Sequence, residues 1–595
     1  MWWIVLNINA LRQAIAELKT NPEQFEAVSE QGHCVVLAGP GSGKTKTLIT
    51  AIARSLFEDV IEPRGVACIT YNNECVMELE TRLSKFGIRS SQQCFVGTVH
   101  SFALNQIILP YARCVKGMVP DDFSVATNEQ KKEIIEFTHK HLFGSSEDPH
   151  NKWKFAELKR RKDIDRSLPS WRGRNSELAD FIESYESELR NRGLIDFDDM
   201  PLIAYRMVKE HSWIREALQA RFPVLFVDEY QDLGYALHEL VQLLCFESGI
   251  RLFVVGDSDQ SIYDFTGADP ELLESLSKRL DVKTICLRFN YRSGTNIVRA
   301  SMGALGSERD YCCIDGAEEG NITYWPIDGN LDIQIQSVAN VVIPKLLMDG
   351  FKNDQIAILY RAAWLGDKVV EALKNKDIPF YRTDTNALVK RSSRLGRFIE
   401  ACAEWVCDGW KDANPSFSYL LKQALNIVYG RKPNEVEKQR LSEQLIIFLQ
   451  GSIGTTETTN QWLKRFHTVL IIPWIEISRN IHVEWDVCEV MILKTEPSKN
   501  LDMSLSAFCG RVEGCGRVIL STLHSAKGRE FDAVIMIGLN NGDFPSWRDN
   551  LDAKALHEAR RLFYVGVTRP RKELSLVFQK QNYSPWVREL YLRTK

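Results

Sequence analysis

The stretch VLAGPGSGKTKT, Val36 to Thr47, constrains this chain more than any other. An apolar run enters a loop carrying Gly39, Gly41 and Gly43, and Lys44 and Thr45 then open an amphipathic segment. The pattern is [A/G]xxxxGK[S/T] from Ala38 to Thr45, with Ala where many such loops have Gly. Its chemistry needs a strand before the loop and a helix after it. The helix N-terminus then offers unpaired N–H groups and the positive end of its dipole to a phosphate. Gly41, Ser42 and Gly43 would turn backbone N–H groups around the β-phosphate. Lys44 would reach the β/γ-phosphates, and the Thr45 hydroxyl would ligate Mg²⁺. ATP and Mg²⁺ are the expected ligands.

The rest of the sequence supplies the context. CVVLA (34–38), GVACIT (65–70), PVLFVDE (223–229) and RLFVVGD (251–257) are short β-branched runs separated by amphipathic segments, the pattern of a parallel sheet flanked by helices. A second series follows in NITYWP (321–326), QIAILY (355–360), RVILST (517–522), DAVIMIG (532–538) and ELSLVF (573–578). Both series are interrupted by charged, helix-like sequence. The expected class is α/β: two lobes of parallel sheet flanked by helices, each with an inserted, mainly helical subdomain. The expected boundaries are 1–105, 196–285 for the first lobe around an insertion at 106–195, and 286–382, 510–595 for the second around an insertion at 383–509. GSIGTTETTN (451–460) reads as a flexible stretch of the second insertion.

The 595 residues correspond to roughly three to five domain-sized units. A net charge of −4 argues against binding a polyanion through bulk charge, so any nucleic-acid contact must be local. The 14 cysteines include no CxxC pair, and Cys509 with Cys515 is read as thiols in a reducing cytosol rather than as a metal site. MWWIVL at the start lacks the basic flank and length of a signal peptide, and TVLIIPWI (468–475) is too short to span a bilayer, so a cytoplasmic protein is expected. In LFVDEYQD, Asp228 is the candidate second Mg²⁺ ligand and Glu229 the candidate base for the attacking water.

Beyond these residues, the chain resembles the UvrD/Rep/PcrA family of superfamily 1 DNA helicases. NPEQFEAV (21–28), GTVHSF (97–102), VGDSDQSIYDFTGA (255–268), LRFNYRSGTNI (287–297), STLHSAKGREFDAV (521–534) and EARRLFYVGVTRPRKEL (558–574) follow in family order. The resemblance implies that both lobes are RecA-like P-loop lobes and that the chain is an ATP-dependent 3′→5′ translocase and helicase acting on single-stranded and 3′-tailed duplex DNA. It implies adenine reading by Gln24, base stacking by Tyr291, a ribose contact from Glu530 and a γ-phosphate sensor at Gln260. Arg292 and Arg569 would reach across from the second lobe as arginine fingers. Lys46 stands where the family usually has Arg, a point charge in place of a stacking plane. Tyr71, His100, Tyr263, Phe265, His524 and Lys527 match positions that meet DNA, and base–aromatic stacking suits a motor that must tolerate any sequence. KWKFAELKRRKDIDRSLPSWRGR (152–174) reads either as a solvated helix face or as a basic DNA-facing patch.

Repair, recombination and anti-phage defence are all compatible with this resemblance. The alternative is an ATPase regulatory subunit of a nuclease–helicase defence complex of the Gabija type, with a separate nuclease as partner. Only about twenty residues follow the last motif, so a fused nuclease is not expected.

Overall fold

A computed structural model describes residues 7–88, 93–115, 117–120, 122–144, 148–173, 175–390, 393–412, 414–429, 433–477, 484, 486–496, 503–509 and 516–594. The side chains of Phe265 and Asp412 lie outside that description, as do MWWIVL, Arg174 and Cys515. The chain divides into two compact units. The first comprises Met1–Gly320, Trp547–Thr568 and Glu589–Lys595; the second comprises Asn321–Ser546 and Arg569–Arg588.

The first unit is built on β1 (His33–Ala38), β2 (Val66–Thr70), β3 (Cys94–Thr98), β4 (Val224–Val227), β5 (Arg251–Gly256) and β6 (Val282–Leu287). Their order is β3-β2-β4-β5-β1-β6, and every pairing is parallel. Alternate residues serve opposite cores, as the two-residue period of a strand requires. Val35, Ala67, Ile69, Leu225, Val227, Leu252 and Val254 enter one cluster. Cys34, Val36, Val66, Cys68, Val224, Phe226, Phe253 and Val255 enter the other. β3 and β6 are absent from the expected strand series. In VKTICL the burial alternates with exposed Lys283 and Cys286, which weakens the apolar signal of an edge strand.

Residues 286–320 remain with the first unit, and so does the helix Ala553–Val567. Phe289–Asn290 continues beyond β6 and pairs in parallel with Cys312–Cys313. Arg560 then fastens the helix Ala553–Val567 to the helix Thr295–Leu305 by donating to the Ala304 carbonyl at 3.0 Å. Arg292, expected in the second lobe, therefore belongs to the first unit.

The first insertion packs the helices Asn128–Phe143, Pro149–Lys162 and Ser176–Asn191 around Trp153, Trp171, Phe181 and Tyr185. Its root is a buried ion cluster. Arg160 contacts Asp196 at 2.8 Å and Asp199 at 2.9 Å, and Lys131 reaches Asp196 at 2.8 Å.

The second unit holds a six-stranded parallel sheet of β7 (Asn321–Ile327), β8 (Ile356–Tyr360), β9 (Phe380–Arg382), β10 (Val518–Thr522), β11 (Phe531–Met536) and β12 (Pro570–Gln579). Its order is β7-β12-β11-β8-β10-β9. Its insertion has a separate core around Phe448, Trp462, Phe466 and Trp474. The stretch expected to be flexible is a tied turn. Arg465 donates to Ser452 Oγ at 2.8 Å and to Glu457 at 2.6 Å, and Thr458 caps the next helix. Its glycines and threonines serve a turn and a helix cap, which composition alone does not distinguish from a loose linker.

Arg160 is the testable joint of the first insertion. Arg160→Ala leaves two buried carboxylates without their main counter-charge, which costs about 3–5 kcal/mol for a buried pair. The first thermal transition should fall by several degrees, and calorimetry on parent and variant reads it.

Candidate nucleotide site and nucleic-acid face

The chemistry-bearing residues of the first unit cluster at the C-terminal edge of its parallel sheet, where open α/β sheets bind ligands. The phosphate loop follows β1, Tyr71 follows β2, His100 follows β3, Asp228 follows β4, Asp257 follows β5 and Tyr291 follows β6. Gly41 and Gly43 adopt left-handed backbone angles, with φ of 74° and 85°. The helix Lys44–Arg54 starts without a side-chain cap, so its first-turn N–H groups remain for a ligand.

Lys44 folds back over the loop. Its Nζ donates to the Ala38 carbonyl at 2.8 Å and the Gly39 carbonyl at 3.2 Å, and lies 3.9 Å from Asp257. Thr45 heads the helix beside it, half-buried. Ser42 Oγ donates to the Gly39 carbonyl at 2.7 Å. Gln24 Nε2 donates to the Ser42 carbonyl at 2.8 Å, so the amide expected to read adenine braces the phosphate loop. Asn21 Nδ2 donates to the Tyr291 hydroxyl at 2.8 Å while its Oδ1 accepts from the Gln24 N–H at 3.1 Å, so one side chain bridges Gln24 and Tyr291. Lys46 is drawn away to Glu17 at 2.8 Å, with both side chains largely exposed.

Asp228 and Glu229 end β4 as expected. Burial, followed by the neighbouring Glu229, pushes the Asp228 carboxyl up to about 8, against the pull of Lys44. A carboxyl desolvated in this way is suited to a divalent cation, which restores the charged form. Thr45 and Asp228 would hold Mg²⁺, whose charge would stabilise the β- and γ-phosphates. Glu229 sits in the left-handed region at φ 51° and ψ 46°, a strained conformation for a non-glycine residue and of the kind that collects at functional sites. Gln260 is buried and donates to Asp257 at 2.5 Å.

Several site residues were not singled out in the sequence. Gln231 donates to Glu229 and accepts from the Asp257 N–H at 2.9 Å, which joins the two acidic strand ends. Asn290 Nδ2 donates to the Pro40 carbonyl at 2.8 Å. Arg561 donates to the Ser261 carbonyl at 2.6 Å and contacts Asp264 at 3.2 Å. Each of these residues reaches a backbone group of another segment, and all three lie inside or beside the quoted motifs without standing out in them.

The nucleic-acid candidates of the first unit form aromatic pairs. Tyr71 stacks on Tyr263 with centroids 4.8 Å apart, and His100 stacks on Phe197 at 4.3 Å and 10°. Asp198 and Arg161 act on both Tyr71 and His100, which places the two pairs in one region. Phe265 lies in the short turn Asp264–Thr266, and its side chain is outside the described residues. Several cations of the basic stretch 152–174 are paired within their own unit. Lys152 meets Glu177, Lys159 meets Asp163, Arg161 meets Glu157, Arg166 meets Glu186 and Arg172 meets Asp180 and Glu183. Lys154 and Lys162 of the same stretch are exposed.

In the second unit, burial pushes His524 down to about 4, with Arg361 and Lys527 adding to the effect. Glu530 is ion-paired with Arg571. Arg569 is 1% exposed and donates to the Arg529 carbonyl at 3.1 Å.

A glycine-rich loop between strand and uncapped helix, with an acid pair two strands away in the same parallel sheet, defines a P-loop nucleotide-binding protein. The chain belongs to the UvrD/Rep helicase family. The family's UvrD/REP helicase N-terminal domain matches residues 20–281, and its UvrD-like helicase C-terminal domain matches residues 501–581. The chain is 26% identical to the ATP-dependent DNA helicase Rep of Escherichia coli K12, covering 95% of this chain and 91% of that protein. It is 25% identical to Rep of Buchnera aphidicola from Acyrthosiphon pisum, over 94% of this chain and 95% of the relative. It is 26% identical to the helicase PcrA of Bacillus subtilis 168, over 94% and 82%. No helix among the described residues is long and apolar enough to cross a membrane.

Burial holds the His100 imidazole neutral down to about 4, whereas an unfolded histidine takes its proton near 6.5. Its contribution to stability is thus complete above about pH 6.5 and is lost as pH falls toward about 4, because the unfolded chain then binds the extra proton. His100→Asn should flatten that part of the pH dependence. Melting curves of parent and variant at about pH 7.5 and about pH 5 measure the difference.

Proposed function

We propose that this chain is an ATP-driven motor that moves 3′→5′ on single-stranded DNA and opens 3′-tailed duplexes in the cytoplasm. The observation that carries this reading is the continuity of one turn in the first unit. Asp257 faces Lys44 of the phosphate loop, Gln260 is bonded to Asp257, and three residues further on Tyr263 stacks on Tyr71. A change at the γ-phosphate side is therefore transmitted over a few residues to an aromatic platform suited to a base. The family membership supports the same reading.

Lys44 neutralises the β/γ-phosphates, and Glu229 takes the proton of the attacking water. Gln24 and Tyr291 hold the base, with Lys46 a weaker partner than an arginine, and Glu530 meets the ribose. Arg292 and Arg569 stabilise charge on the transferring phosphoryl group, a role that rests on their motif positions. Tyr71, His100, Tyr263 and Phe265 form the DNA track of the first unit, and His524 with Lys527 that of the second. The two compact units serve as the motor lobes, each with its insertion, and residues 286–320 go with the first.

Lys44→Ala should abolish ATP turnover. Glu229→Gln should keep ATP binding while lowering turnover by roughly 10²–10⁴-fold, the usual worth of a positioned general base. Turnover near the parent rate in Glu229→Gln would show that another group is the base. Tyr263→Ala should weaken single-strand binding by roughly 5- to 150-fold, from the ~1–3 kcal/mol of one stacked base. Fluorescence anisotropy with a labelled oligonucleotide measures it. Strand displacement on 3′- and 5′-tailed duplexes fixes polarity. Displacement of a long strand by the isolated chain would remove the need for a separate nuclease partner, and DNA-stimulated ATPase without displacement would favour the regulatory-subunit alternative.

A further inference from the structure

The segment Arg309–Cys313 is used by none of the motifs, yet it crosses the phosphate site. The hydroxyl end of the Tyr311 ring lies against Gly39. A Cβ placed on Gly39 would meet Tyr311 Cζ at 2.6 Å and Cε1 at 2.7 Å. Gly39 needs no left-handed angle, so this ring is what excludes a side chain there. Two residues earlier, Arg309 grips Asp259 with both arms of its guanidinium, each at 2.7 Å. The Asp259 N–H in turn donates to Asp257, the carboxylate that Gln260 also bonds. Immediately after Tyr311, Cys312 and Cys313 pair with Phe289 and Asn290, and Asn290 holds the Pro40 carbonyl. The Tyr311 hydroxyl makes no hydrogen bond among the described residues, which leaves the ring as its working part.

We propose that Arg309 and Tyr311 are positioning residues of the ATPase, forming a strap in which Tyr311 seats the first bend of the phosphate loop and Arg309 locks the Asp257–Gln260 turn to it. The proposal rests on the ATPase reading above and adds two residues to its site. The two residues act on different steps. The loop bend governs how the phosphates are seated, in the ground state and in the transition state alike. The Gln260 turn governs the γ-phosphate as it transfers.

The test is steady-state ATPase of the full chain with saturating single-stranded DNA, on parent, Tyr311→Ala, Tyr311→Phe, Gly39→Ala, Gly39→Ala/Tyr311→Ala, Arg309→Ala and Arg309→Lys. Tyr311→Ala should raise the KM for ATP about tenfold with kcat within about threefold, the signature of lost uniform binding. Tyr311→Phe should stay within about twofold of the parent. Gly39→Ala should raise KM by pushing the ring away. Its effect should vanish in the double variant, because contacting residues are not additive. Arg309→Ala should lower kcat about tenfold with KM little changed, and Arg309→Lys should fail to restore it because the planar fork is lost. Additive Gly39 and Tyr311 effects, or kcat and KM within about twofold of the parent in all variants, would overturn the strap. If a variant folds poorly, the conservative Tyr311→Phe and the Gly39 cycle still decide. ATPase that survives Lys44→Ala would instead defeat the reading on which the strap depends.

Discussion

A loop that leaves its N–H groups for a phosphate must find other donors for its carbonyls, because buried carbonyls without partners are costly. In this protein the account closes residue by residue. Ala38 and Gly39 receive Lys44, and Gly39 also receives Ser42 Oγ. Pro40 receives Asn290, Gly41 the Tyr291 N–H, Ser42 the Gln24 amide and Gly43 the Thr47 N–H and hydroxyl. The donors come from the segments that also carry the base-side and phosphate-side candidates. The shape of the loop and the placement of its neighbours are thus one requirement. Gly41 and Gly43 show the same coupling sterically, since a Cβ would strike Asn290 and Arg292 at the first and Gln24 at the second.

The electrostatics are equally local. Lys44 acts on both Asp228 and Asp257, and burial pushes Asp257 up to about 6 as well as Asp228 to about 8. A protein selected for stability alone would not desolvate two carboxyls beside one lysine. The left-handed Glu229 adds backbone strain to that cost. Gln231 donates to the Glu229 carboxylate and accepts from the Asp257 backbone N–H, which ties the two acidic strand ends together while Glu229 still raises both Asp228 and Asp257. The cost falls on the residues expected to bind a metal–nucleotide complex, which would relieve it.

How much of this could be read from the sequence depends on where each side chain finds its partner. The buried parallel strands were legible because both faces demand apolar residues, and CVVLA or PVLFVDE leaves little alternative. β6 was not, since its outward residues dilute the pattern. Lys44, Asp228 and Gln260 were legible because their chemistry is tied to a local motif. Asn290, Gln231 and Tyr311 were not, since each acts on backbone of a distant segment, and Tyr311 meets Gly39 some 270 residues earlier. The stretch 152–174 left two readings open for a related reason. Several of its cations are neutralised by acids outside the window that looked basic, among them Asp196, Glu186 and Glu177. A run of like charge defines a surface potential only when its partners are known.

The same principle applies to the chain crossings between the two units. The helix Ala553–Val567 belongs to the first unit, whereas Arg569, next after Thr568, belongs to the second. Within the first unit that helix is fastened at two points. Arg561 donates to the Ser261 carbonyl, one residue beyond Gln260, and Arg560 holds the helix Thr295–Leu305 that follows Tyr291 and Arg292. The phosphate-side turn and the base-side segment therefore converge on one helix, whose C-terminal end is the crossing into the strand β12. An α-helix is stiff along its axis because each turn is bonded to the next. The helix that holds the Ser261 carbonyl and the helix Thr295–Leu305 is thus one stiff element, and it ends at Val567, two residues before Arg569.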